Sequence, residues 1–124
     1  MAIQVYLCDD VPALRLVLRT VLELDGDVEI VGESGDGRTA LEDLGRLRPD
    51  VLVLDLSLPG LDGLEVLEQL GTRSPQTRAV VFSGYPEGQL GEAARSLGAR
   101  RYVEKGTDIE LVARFVREVA LEAA

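Results

Sequence analysis

Histidine is missing from all 124 residues. Its absence removes Ser-His-Asp and Cys-His nucleophilic machinery, histidine metal sites and any phosphohistidine role. Cysteine occurs once, as Cys8, so no internal disulfide forms, and a reducing, cytoplasmic compartment is the simplest expectation. Cys8 itself reads as a small buried hydrophobe. Basic residues are scarce: 13 Lys and Arg against 22 Asp and Glu leave a formal charge of −9, which opposes direct binding to nucleic acid or to an anionic membrane surface. The chain lacks an apolar tract of about eighteen residues to span a bilayer, and no basic segment precedes the first apolar run to make it a signal peptide. Whatever chemistry the chain performs falls to carboxylates, hydroxyls and lysine.

What is present is 46% hydrophobic and 28% charged residues, enough at this length for one real core without disulfide or metal staples. Residues 1–124 are read as one domain. Five β-type runs, near residues 3 to 8, 28 to 33, 51 to 55, 79 to 83 and 100 to 104, alternate with five helical patterns. That alternation is the signature of an α/β fold with a parallel sheet and right-handed crossovers. The first helix, 12 to 25, opens on Pro12 and places Arg15 and Arg19 together on its outer face. The second, 37 to 47, is interrupted by Gly45, and the third, 63 to 71, ends among Gly71, Ser74 and Pro75. The fourth, 87 to 97, contains Gly88 and Gly91 and is expected to be locally weak. The last, 107 to 122, opens Thr107-Asp108-Ile109-Glu110, a capping-box spacing.

Ligand chemistry in parallel sheets collects outside the carboxyl ends of the strands. There the sequence puts Asp9 and Asp10, then Asp55, then Ser83, then Lys105, while the second strand offers only Gly32, Glu33 and Ser34. Gathering carboxylates is costly, since two unit charges about 4 Å apart repel by about 4 kcal/mol at an effective dielectric near 20. A bound cation compensates. All-oxygen ligands favour a hard ion, and few carboxylates with room for water and phosphate favour Mg²⁺ over Ca²⁺. A lysine and a hydroxyl facing metal-bound carboxylates suggest phosphoryl transfer, and aspartate is itself a phosphoryl acceptor. Asp55 is then the nucleophile, Asp10 and Asp9 hold the metal, Ser83 donates to one phosphoryl oxygen and Lys105 pairs with another. The glycines of Gly32-Glu33-Ser34-Gly35-Asp36-Gly37 do not fit a dinucleotide or P-loop spacing and read as a turn, as does Pro59-Gly60.

Four motifs carry a resemblance: Asp9-Asp10, the segment Asp55-Leu56-Ser57-Leu58-Pro59-Gly60-Leu61-Asp62-Gly63, Ser83-Gly84, and Tyr102-Val103-Glu104-Lys105. Over essentially its whole length the chain resembles the response-regulator receiver domain of bacterial two-component signalling. The resemblance implies a flavodoxin-like, doubly wound five-stranded sheet in the order 2-1-3-4-5. It implies transfer of a phosphoryl group from a histidine kinase or phosphotransfer protein to Asp55. It further implies Mg²⁺ held by Asp10, Asp55 and the backbone carbonyl of Ser57, with Asp9 acting through water. In the implied switch Ser83 moves toward the phosphoryl group and Tyr102 turns inward. The surface of helix four, strand five and helix five then controls an effector protein or a detached DNA-binding domain, with a phosphorylation-dependent homodimer as one outcome. Ser57 and Tyr85 occupy positions that tune loss of the phosphate, and an aromatic at 85 is expected to hinder the attacking water. Such a chain is a switch catalysing its own phosphorylation and dephosphorylation, not an enzyme with a separate substrate.

Gly106 departs from the family, many of whose members have proline there, so their cis peptide is not assumed. Receivers of NarL and LuxR regulators often lack that proline, and the sequence leans their way. It is either a single-domain regulator or a receiver separated from its effector. The alternative is a pseudo-receiver that keeps the fold as an interaction module without the chemistry. A phosphohydrolase of the haloacid-dehalogenase type needs an aspartate where Ser57 stands, and a flavin-binding flavodoxin needs a less acidic phosphate site.

Overall fold

The unbroken apolar runs become strands, and the 3.6-periodic segments become the helices that cover them. The structure, a computed structural model, describes residues 2–122. Along the chain run β1 (Ile3–Cys8), α1 (Pro12–Glu23), β2 (Val28–Ser34), α2 (Gly37–Leu47) and β3 (Val51–Leu54). They are followed by α3 (Gly63–Arg73), β4 (Arg78–Ser83), α4 (Glu87–Ser96), β5 (Ala99–Glu104) and α5 (Glu110–Ala120). The five strands form one parallel sheet in the order β2-β1-β3-β4-β5, as the resemblance implies.

Alternate residues of each central strand feed two cores. Val5, Leu7, Val51, Val53, Val80 and Phe82 pack with Leu18 and Leu22 of α1 and with Val112, Val116 and Val119 of α5. Tyr6, Cys8, Leu52, Leu54 and Val81 face Ala40 and Leu44 of α2, Val66 and Leu67 of α3, and Ala94 of α4. Within that second core the buried Tyr6 hydroxyl donates to Asp43 Oδ2 on α2 at 2.6 Å. Burial, then that hydrogen bond, push the Tyr6 phenol well above its ordinary range.

Three expectations need correcting. Helix α5 begins at Glu110, so Thr107 and Glu110 do not form a capping box. Instead Thr107 bridges to Lys105, and Asp108 Oδ1 accepts the Glu110 N–H at 3.0 Å, because the chain is still turning away from the sheet. Gly106 makes that turn at a φ of 97°, which proline, locked near −65°, does not reach; no peptide bond among the described residues is cis. Helix α2 runs unbroken through Gly45, started by Asp36, whose carboxylate accepts the Thr39 N–H at 2.8 Å. Helix α3 continues past Gly71 to Arg73. No helix of the described residues is long and apolar enough to cross a membrane.

Candidate functional site

Cys8 of β1 pairs with Leu54 of β3, so Asp9 and Asp55 leave the sheet side by side. Two main-chain bonds lock their exits: Asp55 N–H donates to Cys8 O at 2.9 Å, and Asp9 N–H to Ser34 O at 3.1 Å. Asp9 and Asp55 are buried, at 2% and 3% exposure, while Asp10 is exposed. Carboxylate oxygens of Asp9, Asp10 and Asp55 lie within 4.8 Å of one another.

Each buried carboxylate is aimed by its own turn. Asp9 Oδ1 accepts from Val11 N–H at 2.9 Å and Asp55 Oδ1 from Ser57 N–H at 3.0 Å, the two-residue Asx arrangement. That leaves both Oδ2 atoms for Lys105, whose Nζ is 2.9 Å from Asp9 and 2.8 Å from Asp55. Lys105 arrives from β5, where its N–H donates to Ser83 O at 2.8 Å. Its ammonium offsets part of the carboxylate repulsion.

Burial raises the Asp55 carboxyl above its ordinary range, outweighing the hydrogen bonds from Lys105 and the Ser57 amide and the Lys105 charge; the Asp9 charge adds to the rise. Burial alone would lower Lys105, but Asp55 and Asp9 outweigh it and hold the ammonium above its ordinary range. Burial pushes the Cys8 thiol up to about 12, which suits a packed hydrophobe and not a thiolate ligand. The donor set is thus all oxygen, with no thiolate or imidazole, and fits a hard divalent ion such as Mg²⁺.

The loop beyond Asp55 is pressed against it. A Cβ at Gly63 would sit 2.4 Å from Leu56 Cα and 2.6 Å from Asp55 O, so only glycine lets the first turn of α3 approach the Asp55 backbone. Asp62 caps that helix, accepting the Glu65 N–H at 3.0 Å. Ser57 is exposed on the loop.

On the other flank, Ser83 is fully buried and its Oγ accepts the Tyr85 N–H at 3.2 Å. Tyr102 already lies inward, 6% exposed, with its hydroxyl donating to Tyr85 O at 2.7 Å. The Tyr85 side stays 40% exposed. Glu104 adds a contact that sequence reasoning missed: its Oε2 accepts the Glu87 N–H at 3.0 Å, at the start of α4.

Arg15 and Arg19 also depart from expectation. They do lie together on one face, but that face is turned onto the end of β2 and not to open solvent: both bind Glu33, and Arg15 Nη1 donates to the Asp9 carbonyl. Hydrogen bonds from Arg19 and then Arg15 hold the Glu33 carboxyl below its ordinary range. The sequence signal was an acid at a strand end opposite two arginines spaced four apart.

The response regulator receiver domain family matches residues 5–117. Protein-glutamate methylesterase/protein-glutamine glutaminase 5 of Myxococcus xanthus is 45% identical over 106 residues, 85% of this chain and 30% of that protein. The nitrate/nitrite response regulator NarL of Escherichia coli K12 is 33% identical over 116 residues, 94% of this chain and 54% of that protein. The chain therefore spans about a third to a half of these curated relatives. Among solved structures, the response regulator domain of Thermotoga maritima CheB superposes with a TM-score of 0.91 at 27% identity, covering 100% of both chains. The signal receiver domain of NarL from Mycobacterium tuberculosis also superposes at 0.91, with 30% identity and 98% of each chain covered. With the family match running from residue 5 to residue 117 and the acidic site standing at the carboxyl ends of the strands, the chain belongs to the response regulator receiver domain family.

Proposed function

We propose that residues 1–124 act as one phospho-accepting switch in which Asp55 takes a phosphoryl group from a histidine kinase or phosphotransfer protein. The observation that carries this reading is the buried Asp55 carboxylate, 2.8 Å from the Lys105 ammonium and within 4.8 Å of the Asp9 and Asp10 carboxylates. Attack by an Asp55 oxygen forms the new P–O bond, while the bond from phosphorus to the donor breaks and its electron pair leaves with the donor. Mg²⁺, held by Asp10, Asp55 and the Ser57 backbone carbonyl, with Asp9 through water, supplies charge neutralisation when bound. Lys105 exchanges its Asp55 contact for a phosphoryl oxygen, and the Ser83 hydroxyl donates to another. This is self-modification rather than turnover of a separate substrate.

The same geometry supports an output. Ser83 Oγ holds Tyr85 N–H, and Tyr85 O holds the Tyr102 hydroxyl. Drawing Ser83 toward a phosphoryl group therefore acts on the loop leading into α4 and on the ring packed from β5. The face of α4, β5 and α5 is where an effector protein, a detached DNA-binding domain or a second phosphorylated copy would respond. A protein donor is supported by α1, where Ala13, Leu16, Val17 and Thr20 are exposed and uncharged and the exposed acid Glu23 stands only at the far end; Val11 and Pro12 extend this face to the acidic site.

Incubating the folded protein with acetyl phosphate and Mg²⁺, then mapping it by mass spectrometry, tests the reading. Phosphorylation of Asp55 in the wild type and none in Asp55→Asn is expected; an unmodified, folded wild type defeats the proposal.

A further inference from the structure

Arg15 turns its charge toward the acidic site. Its Nη1 donates to the Asp9 carbonyl at 2.5 Å and its Nε to Glu33 Oε1 at 2.8 Å, and only 16% of its side chain is exposed. Glu33 is held from its other oxygen by Arg19 Nη2. The Asp9 main chain is thus gripped on both sides from the end of β2: its N–H by Ser34 O, its carbonyl by the guanidinium that Glu33 orients. That carbonyl belongs to the peptide plane joining Asp9 to Asp10. Fixing the plane fixes how the two carboxylates are presented at the rim.

We propose that Arg15 is a positioning residue for the Asp9–Asp10 acidic pair, setting its geometry for the divalent ion; this rests on reading the site as a Mg²⁺ centre. The sign of the effect separates positioning from plain electrostatics. A cation beside a cation site repels the incoming ion, so deleting the Arg15 charge by itself tightens Mg²⁺ binding. Loss of positioning loosens it. Groups that orient metal ligands typically change affinity by about 10- to 100-fold when removed. Arg15 orients backbone and not a ligand atom directly, which puts its effect at the low end.

The test titrates Mg²⁺ into the ¹⁵N-labelled full chain at fixed ionic strength and follows the amide resonances of Asp9, Asp10 and Asp55. Arg15→Gln is expected to raise the Mg²⁺ dissociation constant about tenfold. Arg15→Lys, able to keep one of the two hydrogen bonds, falls between. Arg19→Gln loses a similar charge and the same Glu33 partner but no bond to Asp9, and stays within about twofold of wild type because its field is screened. Equal or tighter Mg²⁺ binding by Arg15→Gln overturns the proposal, as does an equal weakening in Arg19→Gln. If Arg15→Gln fails to fold, Arg15→Lys carries the test with the charge kept: weaker Mg²⁺ binding than wild type supports the proposal and unchanged binding overturns it. A wild type that binds no Mg²⁺ defeats the reading of the site itself, an outcome distinct from failure of Arg15 alone.

Discussion

At Asp55 burial and pairing pull in opposite directions, and burial prevails, raising the carboxyl above its ordinary range. The folded protein therefore holds the Asp55 proton more tightly than the unfolded chain does. Stability from this group falls as pH rises through the window between the unfolded and folded values, so at neutral pH the metal-free charge is a burden. Asp55→Asn is expected to have a higher Tm than wild type at pH 7 without Mg²⁺, and the gap should close as pH drops through the folded value, where wild type is itself neutral. Melting curves across that range decide it; an Asn variant less stable at pH 7 would contradict the assignment. Tyr85 is the second residue whose role is specific. The residue is 40% exposed while its amide is tied to Ser83 Oγ, and the role proposed for its ring is to hinder water approaching a phosphoryl group on Asp55. Tyr85→Ala should lose phosphate about tenfold faster, equivalent to ~1.4 kcal/mol off the barrier, measured by the decay of the phosphorylated mass after the donor is removed. An unchanged decay removes Tyr85 from the account.

Helix α4 is the element in which local weakness and distant support meet. Its N-cap is Pro86, which supplies no side-chain cap, and Glu104 on β5 accepts the Glu87 N–H in its place. Glu104→Ala should cost about 1 kcal/mol, felt in the first turn, where amide exchange at residues 87–90 should speed up by roughly fivefold. Hydrogen exchange that changes no more there than in α2 would show that the cap does not hold the helix. Glu104 explains why some of the structure was readable in advance and some was not. Asp9, Asp10, Asp55, Ser83 and Lys105 stand where apolar strands stop, and a parallel sheet brings such ends to one rim, so the sequence announces both their position and their company. Glu104 and Arg15 act through partners 17 and 18 residues away, and periodicity reports only a residue's place on its own strand or helix. The start of α5 is hidden for a related reason: Thr107 has the chemistry of a cap, but its main chain is paired with Lys105 and the helix begins only at Glu110. The inward Tyr102 is a conformational state, which residue type alone does not specify.

Taken as a whole, the molecule carries a formal charge of −9, and its acidic site is one concentrated part of that excess. Divalent ions can stabilise such a protein in two ways. They can screen the general repulsion, or they can occupy the cluster of Asp9, Asp10 and Asp55, whose oxygens lie within 4.8 Å of one another. Screening depends on ionic strength and is matched by a monovalent salt. Site binding follows mass action: an ion at about a hundred times its dissociation constant adds ~2.7 kcal/mol to the folded state if it does not bind the unfolded chain. For a domain near this length, roughly 4 °C of Tm accompanies each kcal/mol, so site binding predicts a rise of about 10 °C. Sodium chloride at equal ionic strength should give only a small part of it, and Asp10→Asn should lose most of the difference between the two salts while keeping the screening component. Thermal melts of both proteins in MgCl₂ and in matched NaCl make the comparison. Equal shifts in the two salts would assign the whole effect to net charge and remove the metal centre from the mechanism.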